Sequence, residues 1–319
     1  MSTPAIFEVL VKSVTHEADG ILAYELRLPN GEDLPAFEAG SHIDLHMAGA
    51  PVRSYSLLNA PSDRSRYIIA VSLNEKGRGG SRHIHKNLRC GQVLPIAGPR
   101  NNFPLSETAR HSVLIAGGIG ITPLWSMAQR LTEIDCSWEL HYGVRTTQSA
   151  ALLDRMATHT HREAIHIAYS EGERGEFLDL DAIVSQDKGT THFYCCGPTA
   201  MLDAFKIATR NVSPDRVHFE SFVATHEASV EGGFQVELAR SGKTVEVASG
   251  QSILEALLAQ GVDVMNSCRE GICGACEVTV LEGTPDHRDS ILSDAEKQAG
   301  KSMFVCCSGS RGDRLVLDL

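Results

Sequence analysis

The sequence predicts a multidomain chain: an antiparallel β-barrel, then an α/β doubly wound domain, then a small β-rich domain organised around cysteines. Three observations predict it. From residue 5 to about 104, short β-type runs are broken by turn residues; from about 110 to 224, apolar strands alternate with helical patterns; and the C-terminal part carries CREGICGAC, with FVCC thirty positions after its last cysteine.

The totals fit such a chain. At 319 residues and 42% hydrophobic content there is material for two or three ordinary cores. No run approaches the roughly 18 to 20 apolar residues of a membrane helix, and MSTPAIFEVL lacks the basic start and apolar stretch of a signal peptide, so the expectation is a cytoplasmic protein with no membrane segment. Nine cysteines cannot all pair, and in a reducing compartment their clustering points to metal or redox chemistry. The net charge of −11 speaks against nucleic acid and is compatible with a basic protein partner.

In the first segment, residues 1–106, the strands are IFEVLVKSV, ILAYELRLP, SHIDLHM, RSYSL, YIIAVSL and VLPIAGP. His42, Asp44 and His46 are expected as surface or strand polar residues, not as catalytic groups. NEKGRGGSRHIHKNL places Gly79, Gly80 and Ser81 just before a short helix, where free N–H groups face an anion.

In the second segment, 107–224, SVLIAGGIGITPLWSM is a strand, a glycine-rich turn and a helix start. Gly117, Gly118 and Gly120 let the backbone approach a pyrophosphate, and Pro123 suits a first helical turn because its missing N–H costs nothing there. Further strands WELHYGV, AIHIAYS and HFYCCGP alternate with helices, giving a parallel sheet. A 2′-phosphate on the adenosine ribose would need a cation, and AYSEGERGEF offers Glu171 directly after Ser170, which favours NADH; Arg145 and Arg174 keep NADPH open.

THEASVEGG, 225–233, is a linker, and 234–319 opens with the hairpin FQVELARSGKTVEVASG and the helix SILEALLAQ. Zinc sites use two compact cysteine pairs, whereas one loop here supplies three thiols. C-x4-C-x2-C with a distant cysteine is the plant-type ferredoxin spacing for a [2Fe–2S] cluster, so Cys268, Cys273, Cys276 and Cys306 are assigned as ligands, with Cys307 the rival for the fourth place. Gly271 and Gly274 let the loop curl around the inorganic sulfurs. Residues 226–319 hold eight Lys and Arg against fifteen Asp and Glu; Glu270, Glu277, Glu282, Asp286 and Asp289 lie close in sequence to the ligands, where an electron acceptor would dock.

RSYSL resembles the R-x-Y-S element of the ferredoxin-reductase superfamily. That resemblance implies a flavin site: Arg53 on a phosphate, Ser54 through its backbone, Tyr55 against the isoalloxazine, the Ser56 hydroxyl at N5, and Ala70, Val71 and Ser72 along the pyrimidine edge. GGIGITP and YCCGPTAML are similar to the superfamily's nicotinamide elements, implying NAD contacts from Gly117, Gly118, Gly120, Ile121, Pro123, Arg145, Cys196, Gly197 and Pro198, with Thr122 on the flavin side. RGGSR, PRNNFPL, HFESF, EGTPDHRDSILSDAEK and the ending RLVLDL complete a resemblance, over essentially the whole chain, to the phthalate dioxygenase reductase family. The family more often has valine where Cys307 stands.

The family implies a flavin barrel, a nucleotide domain and a β-grasp ferredoxin domain, FMN as the flavin with Phe222 against it, and a terminal oxygenase as partner. A monomer is expected. NADH gives two electrons as hydride and a cluster passes one at a time, so a flavin stands between them. Ser56, Thr122 and Cys196 would position the hydride transfer, with no side-chain acid or base required. Ring-hydroxylating, demethylating and amine-oxidising oxygenases all fit as acceptors, and a redox sensor using the same cofactors is the reading from another class.

Overall fold

The computed structural model describes residues 6–172, 175–224 and 226–319; Arg174 and Thr225 lie outside them. The chain divides into two compact units, Met1–Phe222 and Val223–Leu319.

The first unit opens with β1 (Ile6–Ala18), β2 (Ile21–Arg27), β3 (His42–Leu45), β4 (Arg53–Ser56), β5 (Tyr67–Ser72), α1 (Gly80–Asn87) and β6 (Val93–Arg100). These strands run antiparallel in the order β4-β3-β6-β1-β2-β5, and a bridge from Leu57 to Ile69 brings the end of β4 back to β5, closing the barrel. Val11, Tyr24, Leu26, Ile43, Leu45 and Ile69 fill it.

Of the two placements open to them, surface or strand, His42 and Asp44 take the strand, on β3, and are only 4% and 2% exposed. They share the face of β3 opposite Ile43 and Leu45, where Arg100 Nη2 reaches Asp44 Oδ2 at 2.6 Å and His42 Nε2 at 3.3 Å. The strand pattern marks this face as polar but does not reveal that Arg100, far away in sequence, covers it.

The unit continues with β7 (His111–Gly117), one 3-10 turn (Gly118–Gly120), α2 (Ile121–Glu133), β8 (Ser137–Val144), α3 (Leu153–Ala157), β9 (Ile165–Tyr169), α4 (Leu180–Val184), β10 (Thr191–Cys196), α5 (Thr199–Ala208) and β11 (Val217–Glu220). All five strands are parallel, in the order β11-β10-β7-β8-β9. Leu124 and Trp125 of α2 pack on the face carrying Leu114, Leu140 and Tyr142; Ile183 of α4 and Leu202 and Phe205 of α5 pack on the other, over Val113, Ile115 and Phe193. The strand order reverses direction between β7 and β10, so the crevice of this doubly wound sheet opens at the carboxyl ends of those two strands.

The second unit contains β12 (Phe234–Leu238), β13 (Lys243–Val247), α6 (Ile253–Ala259), β14 (Glu277–Glu282), β15 (Pro285–Asp286), α7 (Asp294–Ala299), β16 (Ser302–Phe304), β17 (Gly309–Ser310) and β18 (Arg314–Leu317). The sheet order is β13-β12-β18-β14-β16, with β12 and β18 parallel at its centre, and Ile253, Leu254 and Leu257 of α6 close the core over Val236, Val245 and Val247. Among the described residues no helix is long and apolar enough to cross a membrane.

Candidate functional site

Three groups of side chains correspond to the motifs. At the barrel, register sets Ser56 opposite His42 and Tyr55 opposite Ile43, while the Leu57–Ile69 bridge brings β4 beside Ala70, Val71 and Ser72. The Arg53 side chain runs along the start of α1: a Cβ on Gly80 would stand 2.7 Å from its Cγ and 3.0 Å from its Nε. Gly79, at φ 93°, turns the chain into α1 without offering a side-chain cap, so the first-turn N–H groups begin beside the Arg53 side chain, whose Nη1 donates to Val52 O at 2.8 Å. That pairing suits a phosphate.

Ser81 uses its hydroxyl to accept the Asn74 N–H at 3.0 Å, and Ser54 donates to Asp44 Oδ1 at 2.6 Å; both therefore offer a ligand backbone groups before side chains. Burial raises the Tyr55 phenol well above its ordinary value, with Arg53 opposing, so the ring stays neutral at neutral pH. Phe222 lies two residues beyond β11 and is 36% exposed.

At the crevice, the glycines answer a packing constraint. A Cβ on Gly120 would stand 2.1 Å from the Cys196 carbonyl oxygen, one on Gly117 2.6 Å from Pro198 Cδ, and one on Gly197 2.8 Å from Met201 Sδ. The turn after β7 and the turn after β10 thus cross backbone against backbone, which brings Gly117, Gly118, Gly120, Gly197 and Pro198 together. Ile121, Thr122 and Pro123 form the buried first turn of α2, where the Thr122 hydroxyl donates to Ile119 O at 3.0 Å. Burial, then the nearby Glu220, keep Cys196 a neutral thiol.

From this crossing a cavity of about 890 Å³ extends past Gly117, Gly118 and Pro198 to Arg145, Ser170 and Glu176. Its walls carry Glu176, Asp179 and Asp181 and, among the described residues, Arg145 as their one Lys or Arg. Glu171 is exposed and bonds through its N–H to Arg145 O at 2.9 Å; the carboxylates that line the cavity near there are Glu176 and Asp179.

Sequence reasoning missed Glu220. It ends β11 in register with Cys196, and its Oε2 is shielded from solvent with no hydrogen-bond partner among the described residues. Burial raises this carboxyl to about 8. The signal was a charged residue inside HFESF, a segment read only for Phe222.

In the second unit, residues 266–276 form no helix or strand, and the four assigned cysteines are all buried. Among the sulfurs, Cys268 lies by Cys273, and Cys306 lies by both Cys276 and Cys307. No three His, Cys, Asp or Glu among the described residues converge on one ion position. One loop carrying three thiols, with a distant cysteine brought near it, suits a binuclear centre better than zinc.

The loop supplies donors as well. Cys268 N–H points to Cys273 Sγ at 3.4 Å and Glu270 N–H to Cys268 Sγ at 3.3 Å, while Gly271 and Gly274 take φ of 70° and 73°. Hydrogen bonds from Cys276, then Cys307, hold the Cys306 sulfur down at about 4. Cys307 Sγ lies near Phe304 O at 3.7 Å and the Ser308 hydroxyl at 3.9 Å. Of the acidic residues close to the ligands in sequence, Asp289 is fully buried and no part of any surface, and Asp286 is paired with Arg288 at 2.7 Å.

Comparison with known proteins agrees with the three motifs. Residues 8–104 match an oxidoreductase FAD-binding domain, 114–206 an oxidoreductase NAD-binding domain, and 236–309 a 2Fe-2S iron-sulfur cluster binding domain. Phenoxybenzoate dioxygenase subunit beta of Ectopseudomonas oleovorans is 48% identical over 100% of this chain and 99% of its own. An intact type IV self-sufficient cytochrome P450 monooxygenase superposes on 98% of the chain with TM-score 0.89 and 42% identity, this chain spanning 41% of that longer protein. The structure of phthalate dioxygenase reductase covers 99% of this chain and 98% of its own, with TM-score 0.75 and 37% identity. With a flavin-type barrel, a nucleotide crevice and a cluster loop in that order, the chain belongs to the phthalate dioxygenase reductase family of NAD(P)H-dependent oxidoreductases that carry a flavin and a [2Fe–2S] cluster.

Proposed function

We propose that the chain is a cytoplasmic, monomeric reductase that takes electrons from NADH and delivers them through FMN and the cluster to a separate terminal oxygenase acting on an aromatic substrate. The observation that carries the reading is the full-length correspondence to oxygenase reductases at 48% and 37% identity, with each motif set in its own fold context. The name of the 48% relative favours a ring-hydroxylating partner over a demethylating one.

A bound flavin supplies the two-to-one electron step. The protein's part is placement. Arg53 and the start of α1 hold a terminal phosphate, which favours FMN; Tyr55 and Ala70 to Ser72 bound the ring. Gly117, Gly118, Gly120 and Cys196 to Pro198 present the nicotinamide, with Ser56 and Thr122 flanking the reacting atoms. The carboxylates Glu176 and Asp179 repel a 2′-phosphate, which favours NADH. Cys268, Cys273, Cys276 and Cys306 would hold the cluster, which would pass electrons one at a time.

The test is one preparation. Denaturation is expected to release FMN at one per chain, NADH to reduce the protein faster than NADPH, and the rate of oxygenase reduction to fall several-fold from low to physiological salt as the acidic second unit is screened. Release of FAD, or a rate flat in salt, would overturn the FMN or the docking part respectively. NADH turnover with an artificial acceptor separates a reductase from a redox sensor, which would not cycle.

A further inference from the structure

The polar group hardest to explain in the second unit lies beside the cluster loop and belongs to no motif. His287 and Asp289 have side chains 7% and 0% exposed. Both ring nitrogens of His287 and Oδ1 of Asp289 are shielded from solvent with no well-aligned hydrogen bond, the Lys297 backbone being the ring's one nearby polar partner besides Asp289. Such atoms gathered in one place demand a reason, because burial costs them their hydration. His287 Nδ1 stands 3.7 Å from Asp289 Oδ1, too far for a hydrogen bond and close enough for strong attraction once the ring is charged.

The rest of Asp289 is fixed. Its Oδ2 accepts the N–H groups of Ile291 at 3.1 Å and Leu292 at 2.8 Å, and its carbonyl accepts Lys297 Nζ at 2.8 Å. Only Oδ1 remains, and it faces His287. The pair also abuts the cluster loop: Ser290 N–H donates to Gly271 O at 3.0 Å, and a Cβ on Gly271, which lies between ligands Cys268 and Cys273, would stand 3.1 Å from Asp289 Cα.

We propose that His287 takes up one proton when the cluster takes up one electron, completing its ion pair with Asp289. The inference rests on the cluster being held by the four assigned cysteines. The electron comes from the reductase's own turnover and the proton from solvent; one N–H bond forms on the ring, and no bond in the protein breaks. The charged groups facing His287 are Asp289, Lys297 of α7 and Arg311 between β17 and β18; Asp286 is engaged with Arg288 and Arg311. Burial holds the ring below its ordinary value, against Asp289 and the Lys297 backbone and with the Lys297 ammonium and Arg311, so it is neutral at neutral pH before the electron arrives. An added negative charge nearby then favours the imidazolium.

The test is a potentiometric titration of the holoprotein, following the EPR signal of the reduced cluster from about pH 6 to pH 9. The wild-type potential should fall as pH rises, by up to tenfold in the reduction equilibrium per pH unit, which is 59 mV for one electron. His287→Gln should flatten that dependence. Asp289→Asn, whose amide oxygen still accepts the Ile291 and Leu292 N–H groups, should move the sloping window to lower pH, and Lys297→Met should move it higher. A wild-type potential flat in pH overturns the proposal, and so does a slope that His287→Gln leaves intact. If His287→Gln binds no cluster, unmoved windows in the other two variants overturn it. A wild-type sample with no cluster signal would instead sink the ligand assignment, taking this inference with it.

Discussion

Helices begin differently in the two units. In the second unit, α6 and α7 each start with a capping box, Ser252 with Glu255 and Ser293 with Glu296, so their first N–H groups are satisfied by the chain itself. In the first unit, α1, α2 and α5 start at Gly79, Gly120 and Pro198, none of which offers a side-chain cap. Those three starts coincide with the flavin-phosphate and nicotinamide motifs. Helix α4 of the same unit lies in the cavity wall and is capped by Asp179, whereas α3 starts uncapped at Leu152 away from any ligand motif, so the comparison rests on the three motif helices and not on every open start. Open starts leave donors for anionic ligands, whereas a cluster held by cysteine sulfurs and loop N–H groups asks nothing of a helix.

The comparison breaks most sharply at the ligands. Cys306→Ser is expected to abolish the cluster's visible absorption, because one of the four proposed thiolates is lost, while flavin content and NADH-to-ferricyanide turnover stay near wild type. Cys307→Ser should keep the cluster. The opposite outcome for the two variants would reassign the fourth ligand, and loss of flavin with Cys306 would show that the units are not separable. Next in size is Gly120→Ala. Its Cβ, 2.1 Å from the Cys196 carbonyl oxygen, would force β7 and β10 apart at their carboxyl ends. The expected loss is roughly 100-fold in kcat/KM for NADH, with about 3 kcal/mol of stability; stopped-flow flavin reduction and thermal melts read the two.

Most of this was legible in the sequence because the sites depend on local spacing. GGIGITP gives its glycines and helix start within a few residues, and C-x4-C-x2-C marks three candidate ligands in one loop. What stayed hidden is contact between distant segments. Asp44 is buried because Ser54 and Arg100 reach it; Asp289, counted with the surface acids, is buried against Gly271; Glu220 matters because β10 and β11 set it beside Cys196. No periodicity within one segment encodes any of these.

Glu220 yields a pH-dependent effect. Burial raises its carboxyl to about 8 in the folded chain, from an ordinary 4.5. Between those values the unfolded chain has released a proton that the folded chain keeps, so stability falls as pH rises through this window and levels off above about pH 8. The slope is at most about 1.4 kcal/mol per pH unit. Glu220→Gln should remove it, so that chemical denaturation at pH 5 and pH 8 differs less for the variant than for wild type. Equal differences would mean that Glu220 ionises normally and that the β11 end is open to water.

The smallest effect sharpens the comparison of helix starts. Ser252 Oγ accepts the Glu255 N–H at 3.3 Å, and Glu255 Oε2 accepts the Ser252 N–H at 2.9 Å, so Ser252→Ala loses half of this reciprocal pair. The expected cost is about 1 kcal/mol, confined to the second unit. Since Leu254 N–H also bonds to Val305 O at 2.9 Å, α6 stays tied next to ligand Cys306, and the cluster absorption should be unchanged. Asp179→Ala at α4 removes an equivalent cap in the first unit and should cost a similar amount there. Affinity for NADH separates the two variants: a structural cap in the second unit leaves it untouched, whereas α4 lines the cavity and its loss should be felt. A fall in NADH affinity with Ser252→Ala would mean that the capped helices also serve the nucleotide, and the division between open and closed starts would fail.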